Sequence, residues 1–367
     1  MKILWFTWKD REHPQAGGAE VVNEELAKRL ARDGHEVVFI VGGYAGGAKE
    51  TTRDGFKIHR VGTRFTVYWH AYRLYQARFK GWADHVIDEV NTVPFFARWY
   101  AREPVMLFIH QLARQIWFYE LAFPFSLIGY LAEPLYLWLL RHTPVITVSE
   151  STKRDLERYG FTLERIQIIR EGIEMEPVPD LPAVKKFAAP TMLALGSIRP
   201  MKRTAHIIQA FERAKERLPD LCLIVAGSAE GEYGHQALEQ IKRSKVTEAI
   251  EYRGRITTEE KRTLLAQAHV LCVTSVKEGW GLVVTEANSQ GTPAVVYDVD
   301  GLRDSVRDGE TGIVAKRNTP EGLADAVVEL LEDQAHYETI RKNGWEWSKG
   351  LTFEKSYQDF SSCLTRT

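Results

Sequence analysis

The first half of the chain alternates short apolar runs with longer amphipathic stretches. In one of these stretches Val22, Leu26 and Leu30 recur at fourfold spacing, which predicts an amphipathic helix. Apolar strands separated by helices predict a parallel, doubly wound α/β sheet that binds its ligands at the carboxyl ends of the strands. The apolar runs of strand length are residues 3–8, 36–41, 56–61, 85–88, 105–109 and 145–148.

The second half repeats this pattern after an interruption. Residues 176–189 contain three prolines and show no periodicity, so we predict a linker there. It separates a predicted N-terminal domain, residues 1–175, from a predicted C-terminal domain, residues 190–349. The strands predicted in the second domain are 191–195, 221–226, 250–252, 270–274 and 294–297, and its first helices are 204–218 and 282–289.

Composition indicates a soluble enzyme of about two domains. Of the 367 residues 44% are hydrophobic, which is ample for two cores, and the net charge of −1 argues against nucleic acid as a partner. The apolar run at the N-terminus is too short for a signal peptide. Cys222, Cys272 and Cys363 lack metal-ligand spacing, as is typical of reduced cysteines in the cytosol. We therefore expect a cytoplasmic protein.

Two carboxylates bracket the turn between the predicted strand 270–274 and the helix that follows it. Glycines in this turn let backbone N–H groups approach a ligand closely, and the start of the helix favours an anion. Carboxylates accept hydrogen bonds from hydroxyl groups. The combination suits a ligand with phosphate in its middle and hydroxyls at both ends, which describes a nucleotide-sugar. The residues concerned are Glu278, Gly279, Trp280, Gly281, Leu282 and Glu286.

The spacing of Glu278 and Glu286 resembles the E-x7-E motif of the retaining family-4 glycosyltransferases, which have the GT-B fold. The resemblance implies two Rossmann-like domains facing a central cleft, with a C-terminal helix in residues 350–367 that packs back on the N-terminal domain. It also implies that Glu278 is a catalytic residue that binds the donor sugar and that Glu286 binds the ribose. The backbone of residues 279–282 would hold the sugar and the diphosphate.

A basic pair, Arg199 and Lys202, follows the predicted strand 191–195 at the head of a helix. Cations at this place are suited to binding a leaving diphosphate. A branch of the same family has the pattern x-x-Arg-x-x-Lys-Arg here, and the chain matches it. The resemblance therefore implies that both residues bind the donor and take part in catalysis.

Two other loops resemble donor-binding segments of the family. Gly17 and Gly18 precede the first helix, where the family places a Gly-Gly pair over the donor phosphates and near the acceptor. A plain helix start is the alternative interpretation. The loop with Arg255 and Ile256 corresponds to the segment whose backbone contacts the nucleobase.

His110 directly follows the predicted strand 105–109, so it lies at the expected ligand-binding edge of the first sheet. Family members carry a histidine at a comparable place, close to the donor sugar and the reaction centre. The resemblance implies a catalytic and acceptor-side role for His110, with Asn91 as a second acceptor-side candidate. At the hinge the family often has Asn-Gly-hydrophobic-Asp, whereas this chain has Glu171 and Glu174 at the two polar positions.

Neither of two further motifs predicts a metal or a cofactor. Residues 42–49 nearly form a P-loop, but Glu50 stands where Ser or Thr would bind magnesium, so we predict a flexible loop. Asp298 and Asp300 resemble a D-x-D metal motif, but they follow the donor motif and are interpreted as loop. We expect no metal and no cofactor, because the nucleotide-diphosphate-sugar is a co-substrate.

Two stretches of the first domain are unusually apolar or aromatic. Residues 64–80 interleave six aromatic with four basic side chains, and residues 121–140 hold a single charge, Glu133. Pro124 and Pro134 interrupt the second stretch, which argues against a membrane-spanning helix. Two interpretations remain open: a buried helix pair, or a face for an acceptor at a membrane interface.

Our hypothesis is a retaining, metal-independent glycosyltransferase of the hexosyltransferase type. It would move a sugar from a nucleotide-diphosphate-sugar to a hydroxyl of a glycan or lipid-linked glycan, with peripheral contact to the inner membrane face. The resemblance implies front-face transfer, in which a donor phosphate oxygen takes the acceptor's proton. The alternatives are a nucleotide-sugar epimerase of the same fold, a sugar phosphorylase and a non-catalytic nucleotide-sugar binding module.

Overall fold

A computed structural model describes residues 1–365, and the chain divides into two compact units, each with its own sheet. Residues 366 and 367, the end of the predicted C-terminal segment 350–367, lie outside the described residues. The first unit comprises Met1–Arg114, Leu127–Gly172 and the chain from Thr352 onwards, and the second comprises Gln115–Ser126 and Ile173–Leu351.

The first unit contains an eight-stranded sheet in the order β3-β4-β2-β1-β5-β6-β7-β8. All neighbouring pairs are parallel except β3 with β4. The central strands are buried almost completely, as expected of a parallel sheet that is covered on both faces. The strands are β1 (Lys2–Phe6), β2 (Glu36–Gly42), β3 (Glu50–Arg53), β4 (Phe56–Val61), β5 (His85–Glu89), β6 (Val105–Ile109), β7 (Val145–Thr147) and β8 (Ile166–Ile168).

Strand β3 is an antiparallel edge strand that no apolar run predicts. It pairs with β4 through a two-residue turn, Asp54-Gly55, in which both residues have positive φ, 45° and 88°. An Asp-Gly dipeptide is a strong local signal for such a hairpin, because glycine adopts positive φ without strain. The strand itself alternates exposed and half-buried polar side chains, which is why the hydrophobic pattern gives no sign of it.

Helix α1 (Gly18–Arg32) buries the predicted apolar face, including Val22, Leu26 and Leu30. The C-terminal helix packs beside it: the Phe360 ring stacks on Trp5 of β1 with ring centroids 5.4 Å apart. Burying such a ring contributes about 1.5–3 kcal/mol to stability. The other helices of this unit are α2 (Val67–Leu74), α4 (Phe125–Leu140, whose first two residues are assigned to the second unit), α5 (Glu150–Arg158) and, at the end of the chain, α12 (Phe353–Thr365). The short helix α3 (Trp117–Glu120) belongs to the second unit.

The second unit contains a six-stranded parallel sheet in the order β11-β10-β9-β12-β13-β14. Its strands are β9 (Thr191–Leu195), β10 (Cys222–Ala226), β11 (Ile250–Tyr252), β12 (Val270–Val273), β13 (Ala294–Val296) and β14 (Gly312–Val314). Its helices are α6 (Thr204–Arg217), α7 (Gly231–Arg243), α8 (Thr258–Gln267), α9 (Leu282–Ser289), α10 (Pro320–Glu332) and α11 (Gln334–Ser348).

The proline-containing segment 176–189 folds against the second unit. The Lys186 nitrogen lies within hydrogen-bond distance, 2.7–2.9 Å, of four acceptors: the carbonyl oxygens of Ala266, Ala268 and Gly291 and the Thr292 hydroxyl. Burial, together with the charge of Arg341, lowers the pKa of Lys186 well below its usual value. These contacts hold the segment against the second unit. The second unit accordingly includes the segment and begins at Ile173 on this side of the chain.

Candidate functional site

The turn between β12 and α9 depends on glycine at position 281. Gly281 has a φ of +96° and precedes the first residue of α9, Leu282. A Cβ at this position would lie 3.0 Å from the Leu302 side chain and 3.1 Å from the Ser305 hydroxyl. The backbone can therefore turn sharply into the helix, whose first N–H groups are available to an anion.

Glu278 lies in this turn and is held by two donors. Its Oε1 atom accepts hydrogen bonds from the Lys202 ammonium at 2.5 Å and from the Ser275 hydroxyl at 2.6 Å. Its backbone N–H donates to the carbonyl of Asp300 at 3.0 Å. The structure thus brings together Glu278 and Lys202, which are predicted site residues 76 positions apart in the chain.

The loop that carries the basic pair is attached to the end of β12. Lys202 ends a short 3₁₀ turn, and the Thr274 hydroxyl donates to the carbonyls of Lys202 and Arg203 at 2.9 and 3.0 Å. Arg199 is half-exposed, with its Nη1 atom 3.4 Å from Oε1 of Glu120. The two members of the basic pair therefore have different carboxylate partners.

Glu286 projects from α9 and is almost completely buried. Lys261 of α8 binds both of its carboxylate oxygens, at 2.7 and 2.6 Å. Burial raises the pKa of Glu286 although the charge of Lys261 opposes the shift. Sequence reasoning missed Lys261, because no spacing rule connects a residue of α8 with one of α9.

The side chains of the other predicted donor residues differ in exposure. Trp280 is buried and its ring lies 6.3 Å from that of Trp347, whereas Gly279 is half-buried. Arg255 is exposed and Ile256 is half-buried in the loop after β11.

Asp298 and Asp300 are both engaged by cationic side chains. Arg303 lies 2.8 Å from a carboxylate oxygen of Asp298 and 2.7 Å from one of Asp300, and the Lys277 ammonium donates to Asp300 at 2.9 Å. No group of acidic, histidine or cysteine side chains within residues 1–365 has the arrangement of a metal site.

A polar cluster lies at the carboxyl ends of β1, β5 and β6 in the first unit. Its members are largely buried and include three carboxylates, although Asn91 is half-buried. The cluster consists of Lys9, Glu20, Asn23, Glu89, Asn91, His110 and Glu171.

Glu20 caps the first helix within this cluster. Its Oε2 atom accepts from the Gly17 N–H at 2.6 Å, and its Oε1 atom lies 3.4 Å from the Lys9 ammonium and 3.5 Å from Nδ2 of Asn91. Gly17 and Gly18 are therefore part of a capped helix start, and both are exposed.

His110 lies at the centre of the cluster, and each of its ring nitrogens has a partner. Nδ1 is 3.0 Å from Oε1 of Glu171, and Nε2 is 3.3 Å from Oδ1 of Asn23 and 3.7 Å from Oε1 of Glu89. Burial raises the pKa of Glu89 to about 7 despite the nearby His110. Sequence reasoning selected His110 but neither Glu89 nor Asn23, because it treated polar residues on buried elements as helix or strand positions.

The two apolar stretches of the sequence differ in their packing. In residues 64–80, Val67, Ala71, Tyr75 and Phe79 form a buried helical face, whereas Phe65 and Trp69 are exposed at 79% and 60%. In residues 121–140, by contrast, α4 exposes one apolar face with side chains 39–64% accessible. This apolar face consists of Leu127, Ile128, Leu131, Leu135, Trp138 and Leu139.

The only charged residue of α4 points away from that face. Glu133 is buried and accepts hydrogen bonds from the backbone N–H groups of Ala113 and Arg114 at 2.7 and 2.6 Å. At the end of the helix, Arg141 lies over the Trp138 ring, 4.0 Å from its centroid. Within the described part of the chain, no helix combines the length and the apolar character needed to cross a membrane.

Two doubly wound α/β units with charged side chains at the carboxyl ends of their strands define a Rossmann-like, ligand-binding architecture. Two family models match the chain and together cover most of it. The model described as Glycosyltransferase Family 4 matches residues 16–177, and the model described as Glycosyl transferases group 1 matches residues 183–347. The chain belongs to the family-4 glycosyltransferases and has the GT-B fold.

Similar proteins have various named activities. A glycogen synthase of Mycobacterium tuberculosis is 30% identical over 54% of this chain and 48% of its own length, so the chain matches about half of that relative. An N-acetyl-alpha-D-glucosaminyl L-malate synthase of Bacillus anthracis is 24% identical over 94% of this chain and 91% of its own. The structure of a sucrose-phosphate synthase from Thermosynechococcus elongatus has a TM-score of 0.80 at 20% identity, covers 100% of this chain and 98% of its own, and shows the same fold.

Proposed function

We propose that this chain is a retaining glycosyltransferase that moves a sugar from a nucleotide-diphosphate-sugar to a hydroxyl group. The observation that carries the proposal is that each of the two carboxylates, one in the turn before α9 and one on α9, is paired with a lysine from another element: Glu278 with Lys202, and Glu286 with Lys261. In each pair, a carboxylate that can accept hydrogen bonds from sugar hydroxyls lies a few ångströms from an ammonium group that can donate to a phosphate. A nucleotide-sugar presents the complementary sequence of groups.

In this proposal Glu278 binds hydroxyls of the donor sugar, and Glu286 binds the ribose. Lys202 uses one of its three N–H groups for Glu278, which leaves the others for a diphosphate oxygen. Arg199 and the N–H groups at the start of α9 bind the same diphosphate. These groups would stabilise the negative charge that develops on the leaving group, which is usually a large contribution to catalysis.

The proposed reaction requires no metal ion. Asp298 and Asp300 have the spacing of a metal motif, but Arg303 and Lys277 occupy their carboxylates with hydrogen-bonded ion pairs of 2.7–2.9 Å. A divalent cation would have to displace both cations. The charge of the diphosphate is offset by the basic pair instead.

For the acceptor we propose a glycan or lipid-linked glycan used at a membrane surface. The apolar face of α4 recurs at spacings of three and four residues, so it forms one continuous stripe along the helix. An exposed apolar stripe marks an interaction surface, and α4 is suited to lying in the plane of a bilayer interface. Arg141 over Trp138 at its end matches the aromatic and basic side chains that prefer the headgroup region.

The experiment that tests the proposed activity begins with a thermal-shift panel of UDP-, GDP- and ADP-sugars. The stabilising donor is then incubated alone, with phosphate, and with glycan or lipid-linked acceptors, and the products are separated by chromatography. We expect sugar transfer, with retention of the anomeric configuration in the product. An altered donor sugar without acceptor would indicate an epimerase, phosphate-dependent cleavage a phosphorylase, and binding without turnover a non-catalytic module.

A further inference from the structure

We propose that Glu171 and Asn23 are positioning residues that hold His110 as a doubly protonated imidazolium beside Glu89. The protonation state follows from hydrogen-bond geometry in the first unit alone. Only its use in sugar transfer rests on the proposed function. The amide orientation of Asn23 decides the argument, because it determines which atom faces the imidazole ring.

The orientation of Asn23 is fixed by Glu89. Nδ2 of Asn23 donates to Oε2 of Glu89 at 2.7 Å, which is the shorter of the two contacts that this amide makes within the cluster. Oδ1 of Asn23 must therefore face His110, where it lies 3.3 Å from Nε2. An amide oxygen can only accept, so Nε2 carries a proton.

The other ring nitrogen faces a second acceptor. Nδ1 of His110 lies 3.0 Å from Oε1 of Glu171, so a hydrogen bond to this carboxylate requires a proton on Nδ1 as well. Both nitrogens are donors only in the imidazolium form. A neutral ring would leave one acceptor without a donor, in a site where unsatisfied polar groups are costly.

The charges around the ring support the same state. Burial disfavours the charged ring, but the hydrogen bond to Glu171 and the charges of Glu171, Glu89 and Glu20 outweigh it and raise the pKa of His110. The only other nearby cation named in the cluster is Lys9, whose ammonium lies 3.4 Å from Oε1 of Glu20. The remaining neighbours are uncharged: the Phe108 ring lies 4.4 Å from the imidazole, and the Thr152 hydroxyl donates to the His110 carbonyl.

The imidazolium has a functional consequence. A histidine that already carries both protons cannot take the proton of an acceptor hydroxyl at neutral pH, so His110 acts as a fixed cation or hydrogen-bond donor. An amide at position 171 could not supply the negative charge that stabilises the imidazolium.

The direct test is NMR of the full-length protein labelled with ¹⁵N-histidine. His110→Gln identifies the His110 signals by difference. We expect imidazolium ¹⁵N shifts at pH 7 in the wild type, and a titration midpoint at lower pH in Glu171→Gln. Glu164→Gln, which removes an exposed carboxylate from the same unit, should leave the midpoint unchanged.

A neutral-tautomer signature at pH 7 in the wild type would overturn the proposal, whether or not the variants fold. An unchanged midpoint in folded Glu171→Gln would overturn it too. For transfer, the alkaline limb of the kcat profile should move to lower pH in Glu171→Gln, whereas a merely structural role would lower kcat at every pH. The NMR result does not depend on activity, so it is independent of the proposed reaction.

Discussion

The carboxylates of the candidate site have different partners in the two units. In the second unit Glu278 and Glu286 each have a lysine of their own, supplied by a neighbouring loop or helix. In the first unit three buried carboxylates share one imidazole and one lysine. The first unit also exposes the apolar face of the helix α4.

The difference corresponds to the ligands that each unit is proposed to bind. A nucleotide-sugar always combines hydroxyls with a diphosphate, so paired acids and lysines on a strand-to-helix turn suit every such donor. An acceptor has no common chemistry, so its unit can vary in both surface and buried polar groups. The comparison leads to predictions that separate the units.

The largest effect is expected from the basic pair. Lys202→Ala should lower kcat by roughly 10²-fold or more, the scale for losing one electrostatic stabiliser of a transition state. Lys245→Ala, at an exposed lysine of the same unit, serves as the control and should be neutral. Initial rates at saturating donor measure the effect, and near-normal turnover in Lys202→Ala would remove Lys202 from the mechanism.

A stability measurement addresses the polar cluster of the first unit. Glu171→Gln should lower the free energy of unfolding by about 1–3 kcal/mol, because a buried cation loses its partner. The pKa of His110 is raised in the folded state, so the stabilisation is fully present below the unfolded histidine pKa and is lost as pH rises through the folded value. Denaturant titrations should therefore show a difference that shrinks with rising pH. A difference independent of pH would contradict the charged state.

The apolar face of α4 should bind anionic vesicles. Burying a leucine contributes roughly 1.5–3 kcal/mol, so the double variant Leu131→Gln/Leu135→Gln should reduce vesicle partitioning by about tenfold or more. Leu163→Gln alters an exposed leucine elsewhere in the same unit and is the matched control. Co-sedimentation at low and high salt measures the partitioning. Salt should weaken it, because each basic side chain near the anionic surface, such as those of residues 64–80, contributes about 1 kcal/mol to the binding free energy. Equal partitioning of the wild type, the double variant and the control would contradict the proposal that the apolar face of α4 binds the membrane.

The smallest effect is expected from metal removal. Activity should survive EDTA, because the basic pair rather than a cation is proposed to offset the diphosphate charge. A matched assay with added Mg²⁺ or Mn²⁺ completes the measurement. If turnover is lost with EDTA and either ion restores it, the proposal that the reaction requires no metal ion is wrong.

The fold and the strand-to-helix turn at Gly281 could be predicted from the sequence because both depend on local pattern. The parallel strands are continuous apolar runs, and the segment around Gly281 combines a strand end, glycines and a helix start within a dozen residues. Family membership and the GT-B fold are confirmed by the family models and the similar structures.

The remainder depends on contacts between distant positions. Lys261 reaches Glu286 across two helices, and Asn23 reaches Glu89 over 66 positions, so no spacing rule finds either pair. Strand β3 is polar and is signalled only by Asp54-Gly55. Both stretches 64–80 and 121–140 are rich in large apolar side chains, and only tertiary packing shows which of them are buried and which form the exposed face of α4.

Calorimetry of two variants tests the central claim most directly, namely that Glu278 binds the donor sugar and Glu286 binds the nucleoside. With the donor found in the thermal-shift panel, Glu286→Ala should weaken binding of both the nucleotide-sugar and the free nucleoside diphosphate. Glu278→Ala should weaken only the nucleotide-sugar, because Glu278 is proposed to contact the sugar and not the nucleoside diphosphate. If the two variants behave alike towards both ligands, the proposed division of roles between the two carboxylates is wrong.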